Sequence, residues 1–266
     1  MAEQESRTYL TNELNKIKKW EKSQKKLWIW ERIGRIPFKI LDKLTPKFIQ
    51  NKLGIALDEL GSYIQTGGRY LIYKKGILKK FDHAETVEEV AHLPLERMDQ
   101  AAEQYSVSRA RFATWQGATT GIGGVFTLAA DIPALLGLSL KILQEIAICY
   151  GYDPAEKRER IFIVKCLQFA SSDIVGKQAV LDDLNRFDEE VKQHRAASQI
   201  QGWREVLMTY RDNYGWKKLF QLVPVAGIIF GAMVNKSTLE DVAEAGKMLY
   251  RKRRILEKLE EDRVTS

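Results

Sequence analysis

The sequence predicts an all-α protein, a compact multi-helix domain preceded by a basic helical extension. Three observations carry this. Apolar residues recur at spacings of three and four through most of the chain, whereas alternation with period two is scarce. Only six prolines occur in 266 residues, and long stretches lack turn residues. Helix-start signals recur: Thr45-Pro46, Thr86-x-x-Glu89, Asp153-Pro154 and Ser237-x-x-Glu240.

The extension comes first. Leu14, Ile17, Trp20, Leu27, Trp30 and Ile33 mark one helical face, which Pro37 should end. Between residues 11 and 52 stand twelve cations and four anions, a local excess of +8 against +7 for the whole chain. Trp20, Trp28, Trp30, Phe38 and Phe48 are interleaved with them. A second helix should start at Thr45-Pro46 and run to about Gln65, stopped by Gly67-Gly68. Residues 75–85 read as irregular, and the division is placed there. The expected units are a basic extension at 1–85, a helical domain at 86–254, and a tail with the end of the last helix at 255–266.

In the domain, Thr86-Val-Glu-Glu89 forms a capping box, with helix expected through Pro94 towards Trp115. An apolar, glycine-rich run follows from Gly117 to Ala130. Asp131-Ile-Pro133 divides it from a second apolar stretch, Ala134 to Tyr150, which Gly151 closes. Further helices are expected from Asp153-Pro154 to Ala170, at 173–197 and at 201–212. A second apolar run covers Leu222 to Val234, and the last helix carries Arg251-Lys-Arg-Arg254.

These features constrain the chemistry. A spanning helix needs about 20 apolar residues. The run 222–234 has 13 and contains Pro224, and the earlier run is split and carries Lys141, Gln144 and Glu145. Neither is a spanning helix. Each reads either as a hairpin buried in protein or as one dipping shallowly into a leaflet. Gly117 and Gly121, like Gly227 and Gly231, share a helix face and admit close helix contact. GATTGIGG lacks the Gly-Lys-Ser/Thr of a phosphate loop. Asp131 is placed to cap the next helix, which accounts for it better than catalysis does. His83, His92 and His194 are scattered, and no catalytic, cofactor or metal-ligating set is assigned. Cys149 and Cys166 lie in apolar stretches and read as reduced core thiols. The N-terminus has no apolar signal segment, so the expected location is cytoplasmic.

A basic, tryptophan-bearing helix suits the interface of an anionic membrane, where indoles sit at head-group depth. Lys18, Lys19, Trp20, Lys25, Lys26, Trp28, Trp30 and Arg32 are the lipid-contact candidates, joined by Ile228 and Phe230 of the late apolar run. Two alternatives stand beside this reading: a basic nucleic-acid binder, and an enzyme with a site near Asp131. No nucleic-acid motif is present, which makes nucleic acid the weaker partner. The sequence assigns no oligomeric state.

One combination of residues is specific. Gly117 and Gly121 in the glycine-rich run are followed by Asp131-x-Pro133, then Tyr150-Gly151-x-Asp153. Pro224, Gly227 and Asn235 come later, ahead of a basic helix. Over 86–254 this resembles the EcsC family. The resemblance implies an all-helical bacterial domain, named after a gene that accompanies an ABC transporter. It implies a membrane-linked role beside an integral membrane transporter, at the inner face of the cell membrane. It carries no reaction and no catalytic residues.

Overall fold

The computed structural model of the chain describes residues 5–24, 47–67, 72–81, 84–106, 132–171, 174–192 and 238–265. Among them all regular structure is helical. The helices are α1 (Arg7–Gln24), α2 (Lys47–Thr66), the single turn α3 (Lys75–Leu78), α4 (Val87–Ala91), α5 (95–106), α6 (Ile132–Cys149), α7 (Lys157–Ser171), α8 (Ile174–Lys192) and α9 (Thr238–Thr265).

α6 is the core helix. Residues 142–150 are all buried, because α2, α3, α4, α7 and α9 pack around it. A largely apolar helix belongs in such a position, although Ser139, Gln144 and Glu145 are buried with it. Of the stretch Ala134 to Tyr150, read from sequence as core hairpin or leaflet segment, residues 142–150 are therefore covered by protein. The run 117–131, with Gly117, Gly121 and Asp131, lies outside the described residues, as does 222–234 with Pro224, Gly227, Ile228 and Phe230. No helix of the described residues is long and apolar enough to cross a membrane.

α9 lies on α6 and also contacts α7 and α1, while α7 contacts α8 and α2. Gly246 sets the approach of α9 to α6: a Cβ there would stand 2.6 Å from Leu143 Cδ2. The division expected at 85 falls between α3 and α4. One apolar cluster takes residues from both sides of it, from Leu10, Leu14 and Ile17 to Leu140, Phe169 and Ile255.

The predicted helix signals resolve into local geometry. Thr86 caps α4 by accepting from the Glu89 amide at 3.2 Å, and Glu89 accepts in return from the Glu85 amide at 2.7 Å. The helix does not run on through Pro94. It breaks at His92, and α5 starts afresh at 95, where the Leu95 amide donates to Glu5 at 2.9 Å. Proline cannot donate in a helix interior, so the break has a covalent cause. α2 stops where expected, with the Gly67 amide donating to the Tyr63 carbonyl at 2.8 Å. α7 begins at Lys157 rather than at Pro154. Asp153 instead turns the chain, its carboxylate accepting from the Ala155 amide at 2.8 Å.

The end of α6 is a Schellman turn. The Tyr152 amide donates to the Ala147 carbonyl at 2.9 Å, and the Gly151 amide to Ile148 at 3.0 Å. Gly151 has φ +78°, and a Cβ there would lie 2.5 Å from Ala91 Cα. Two costs therefore coincide, a left-handed backbone and a backbone clash. Gly151→Ala is expected to destabilise the fold by about 2–4 kcal/mol. Urea unfolding followed by far-UV circular dichroism checks this, and an unchanged midpoint would refute the close approach of α4 to this turn.

Candidate functional site: inward acids, outward lysines

The basic run Arg251–Arg254 looks like a cationic surface in sequence, but in the fold it is largely interior. Successive helical residues point about 100° apart, so the four cations reach different sets of partners. Arg251 binds Asp99 of α5 through Nε at 2.9 Å and Glu13 of α1 at 2.7 Å. Lys252 binds Glu21 of α1 at 2.6 Å and Asn185 of α8 at 2.7 Å. Arg253 grips both oxygens of Glu159 on α7 at 2.9 and 2.8 Å. Its guanidinium also lies 4.3 Å from the Tyr152 ring centre and 5.0 Å from that of Phe162. Arg254 donates to the Tyr150 and Gly151 carbonyls at 2.8 and 3.2 Å, completing the cap of α6.

α1 and α9 are thereby joined in antiparallel register. Glu5 meets Lys258 at 2.8 Å, Glu13 meets Arg251 at 2.7 Å, and the Trp20 indole donates to Glu244 at 2.7 Å. The partners on α9 are seven residues apart, two turns, so they share one face. Leu10, Leu14 and Ile17 fill the space between. Each buried aliphatic side chain is worth about 1.5–3 kcal/mol, so they supply the adhesion and the polar pairs fix the register.

The electrostatics divide the two carboxylates that share Arg251. Burial pushes Asp99 up, more than Arg251 and the Tyr150 hydroxyl (2.7 Å) offset. Burial also acts to raise Glu13, but hydrogen bonds from Lys16 and Arg251 outweigh it and hold that carboxyl below its ordinary value. Burial keeps Tyr150 protonated, and Asp99 reinforces it. Burial likewise pushes Glu159 up despite Arg253. The chemistry of Tyr150, Asp99, Arg251 and Glu13 is thus spent on one another, joining four helices.

With its acids turned inward, α1 keeps an outer face of Thr8, Thr11, Asn12, Asn15, Lys18, Lys19 and Lys22, all exposed, with no carboxylate among them. An open groove beside this face is lined by its lysines and asparagines together with Tyr9, Glu13 and Glu21. Of the lipid-contact candidates, Lys18 and Lys19 lie on this face. Trp20 faces the body, its ring 5.5 Å from Phe169. Lys25, Lys26, Trp28, Trp30 and Arg32 lie outside the described residues. Of the motif positions, Pro133 is the second residue of α6, where its missing amide leaves no bond unmade. Tyr150, Gly151 and Asp153 form the turn just described, with Lys74 donating to Asp153 at 2.5 Å. Asn235 lies outside the described residues. Both cysteines are free and buried, and burial pushes both thiols up. Among the described residues no three potential metal ligands gather.

Sequence reasoning missed Glu13, Asp99, Glu159 and the interior role of Arg251–Arg254. The available signal was the spacing of Glu5, Glu13 and Glu21, eight residues apart on the apolar side of α1.

Two measurements test the network. Arg253→Met leaves Glu159 buried without its partner and should cost about 3–5 kcal/mol, of which Glu159→Met in the same chain should restore most. Failure of the double variant to recover would show that the pair is not the unit described. Glu13→Gln should cost about 1–3 kcal/mol at neutral pH. A depressed carboxyl stabilises above its unfolded pKa of about 4.3, and the gain is lost as pH falls through the folded value. The deficit of the variant should therefore shrink below about pH 4, read from urea midpoints across the acid range.

No solved structure matches the chain. Uncharacterized protein YdbA of Bacillus subtilis (strain 168) is 58% identical over 258 residues, covering 95% of each chain. Protein EcsC of the same organism is 26% identical over 223 residues, covering 84% of this chain and 86% of its own. The EcsC protein family model matches residues 11–255, reaching back through α1 and α2 beyond the stretch that carries the sequence motifs, and the chain belongs to that family.

Proposed function

We propose that the protein works without catalysis at the inner face of the cell membrane, bound peripherally to anionic head groups as an accessory to an integral membrane transporter. The observation that carries this reading is the segregation of charge on α1. Glu13 and Glu21 are engaged by α9, and Lys18, Lys19 and Lys22 are left outward on a face without carboxylates. The same strand of sequence continues into the tryptophan-bearing basic run. A cation near an anionic surface contributes about 1 kcal/mol, so Lys18, Lys19 and Lys22 together raise partitioning by on the order of a hundredfold. The link to a transporter is supported by the family resemblance alone, and cross-linking in intact cells before fractionation tests it.

Arg251–Arg254 offer no free basic surface to nucleic acid, since they are engaged by Asp99, Glu13, Glu21, Glu159 and backbone carbonyls. Flotation with anionic and with neutral vesicles, beside a DNA gel shift in the same salt, separates the two. Binding to anionic vesicles alone is expected. Lys18→Glu with Lys19→Glu and Lys22→Glu should abolish most of it without loss of helicity. The component due to α1 should vanish at 1 M salt, where the Debye length falls to about 3 Å. Equal binding to neutral vesicles, or DNA binding with no flotation, would refute the proposal.

A further inference from the structure

A second cationic surface lies away from α1, at the segment 72–81 around α3. Its inner side is anchored: Ile77, Leu78 and Phe81 are buried, and the Ile77 and Phe81 amides close tight turns at 2.9 and 2.8 Å. Lys74 is tied to Asp153 at 2.5 Å. Its outer side is different. Lys75, Lys79 and Lys80 are exposed and pair with no carboxylate among the described residues, and the segment itself contains no acid. Beside them in sequence, Tyr73 stands 74% exposed, more than the other exposed large hydrophobic side chains among the described residues, Ile55 at 47% and Leu256 at 41%.

We propose that this segment is a second contact with the anionic lipid surface, with the Tyr73 ring at head-group depth and Lys75, Lys79 and Lys80 against lipid phosphates. The inference rests on the membrane reading above and adds depth to it. An exposed phenol wants one apolar and one wet side, which the interface of a bilayer supplies and water does not. The lysines supply the complementary charge. The buried anchor holds the backbone in place, so presenting the ring costs little ordering entropy. On the α1 side the nearest ring, Tyr9, is only partly exposed. This segment offers both charge and an exposed ring.

The test uses Tyr73→Cys in the full chain, labelled with nitrobenzoxadiazole. Cys149 and Cys166 are buried and do not compete for reagent in the folded protein. Leu256→Cys, labelled in the same way, serves as the exposed control. With vesicles of equal parts phosphatidylglycerol and phosphatidylcholine, the label at 73 should shift to the blue and brighten several-fold, while the label at 256 stays as in water. Pure phosphatidylcholine vesicles should leave both unchanged. Lys75→Gln with Lys79→Gln and Lys80→Gln should weaken partitioning on the order of a hundredfold, with far-UV circular dichroism unchanged. If the chain floats with anionic vesicles and the label at 73 does not respond, this contact is refuted and binding through α1 stands. If the wild type does not float, both fall. An equal response to inorganic pyrophosphate would identify a soluble-anion site and overturn the lipid assignment.

Discussion

Burying the cations of α9 is the constraint that organises the rest of the structure. A charge taken out of water needs a partner or a hydrogen-bonded cage, or the loss of hydration outweighs anything gained. Four consecutive helical residues sweep about 300° around the axis. One neighbouring helix cannot serve them all. Arg251 recruits α5 and α1, Lys252 recruits α1 and α8, Arg253 recruits α7, and Arg254 recruits the turn after α6. The arrangement of helices about α9 follows from where those partners must stand. The apolar packing of α6 against α9 and the rest of the core supplies adhesion. The polar pairs decide which helix lies where, because each cation is satisfied by a particular carboxylate or carbonyl and not by its neighbour's.

This sorting changes what the net charge of +7 means. In sequence the surplus belongs to the whole chain. In the fold, Arg251, Lys252 and Arg253 of α9 are neutralised by acids drawn from α1, α5 and α7, and Arg254 by Glu257 of α9 itself. Lys18, Lys19 and Lys22 of α1 and Lys75, Lys79 and Lys80 of 72–81 are left facing solvent, while Lys16 and Lys74 are taken up by Glu13 and Asp153. A modest total charge thus yields local fields strong enough to draw an anionic partner.

Local physics made much of the architecture readable. Helical periodicity, the Thr86 box, the stop at Gly67 and the turn at Gly151 depend on a few neighbouring residues, and each appears as expected. The failures were of two kinds. Pro94 and Pro154 were read as continuing or starting helices, whereas the chain broke at one and turned at the other, because proline constrains φ without fixing what its neighbours do. The interior ion pairs were missed because periodicity treats a charged residue as outward by default. Glu159 and Arg253 are 94 residues apart, and Glu13 and Arg251 are 238 apart, so only the fold brings them together. Tyr150 and Asp153 stood out as motif residues, but the motif gave no hint that they tie α6 to α5 and α3.

The inward acids also fix how α1 can meet a membrane. Glu13 and Glu21 sit among Leu10, Leu14 and Ile17 on the same side of the helix. Turning that side towards anionic lipid would drive two carboxylates against phosphates and strip Arg251 and Lys252 of partners within the protein. Trp20 faces inward too, held by Glu244. In the proposed mode, then, α1 stays docked and meets head groups through Lys18, Lys19 and Lys22, an attraction that salt removes. A bond that survives salt needs apolar or aromatic surface outside the core. Among the described residues Tyr73 is the side chain best placed to provide it, and the division of labour between a charged helix and an aromatic turn follows from which faces the core has already claimed.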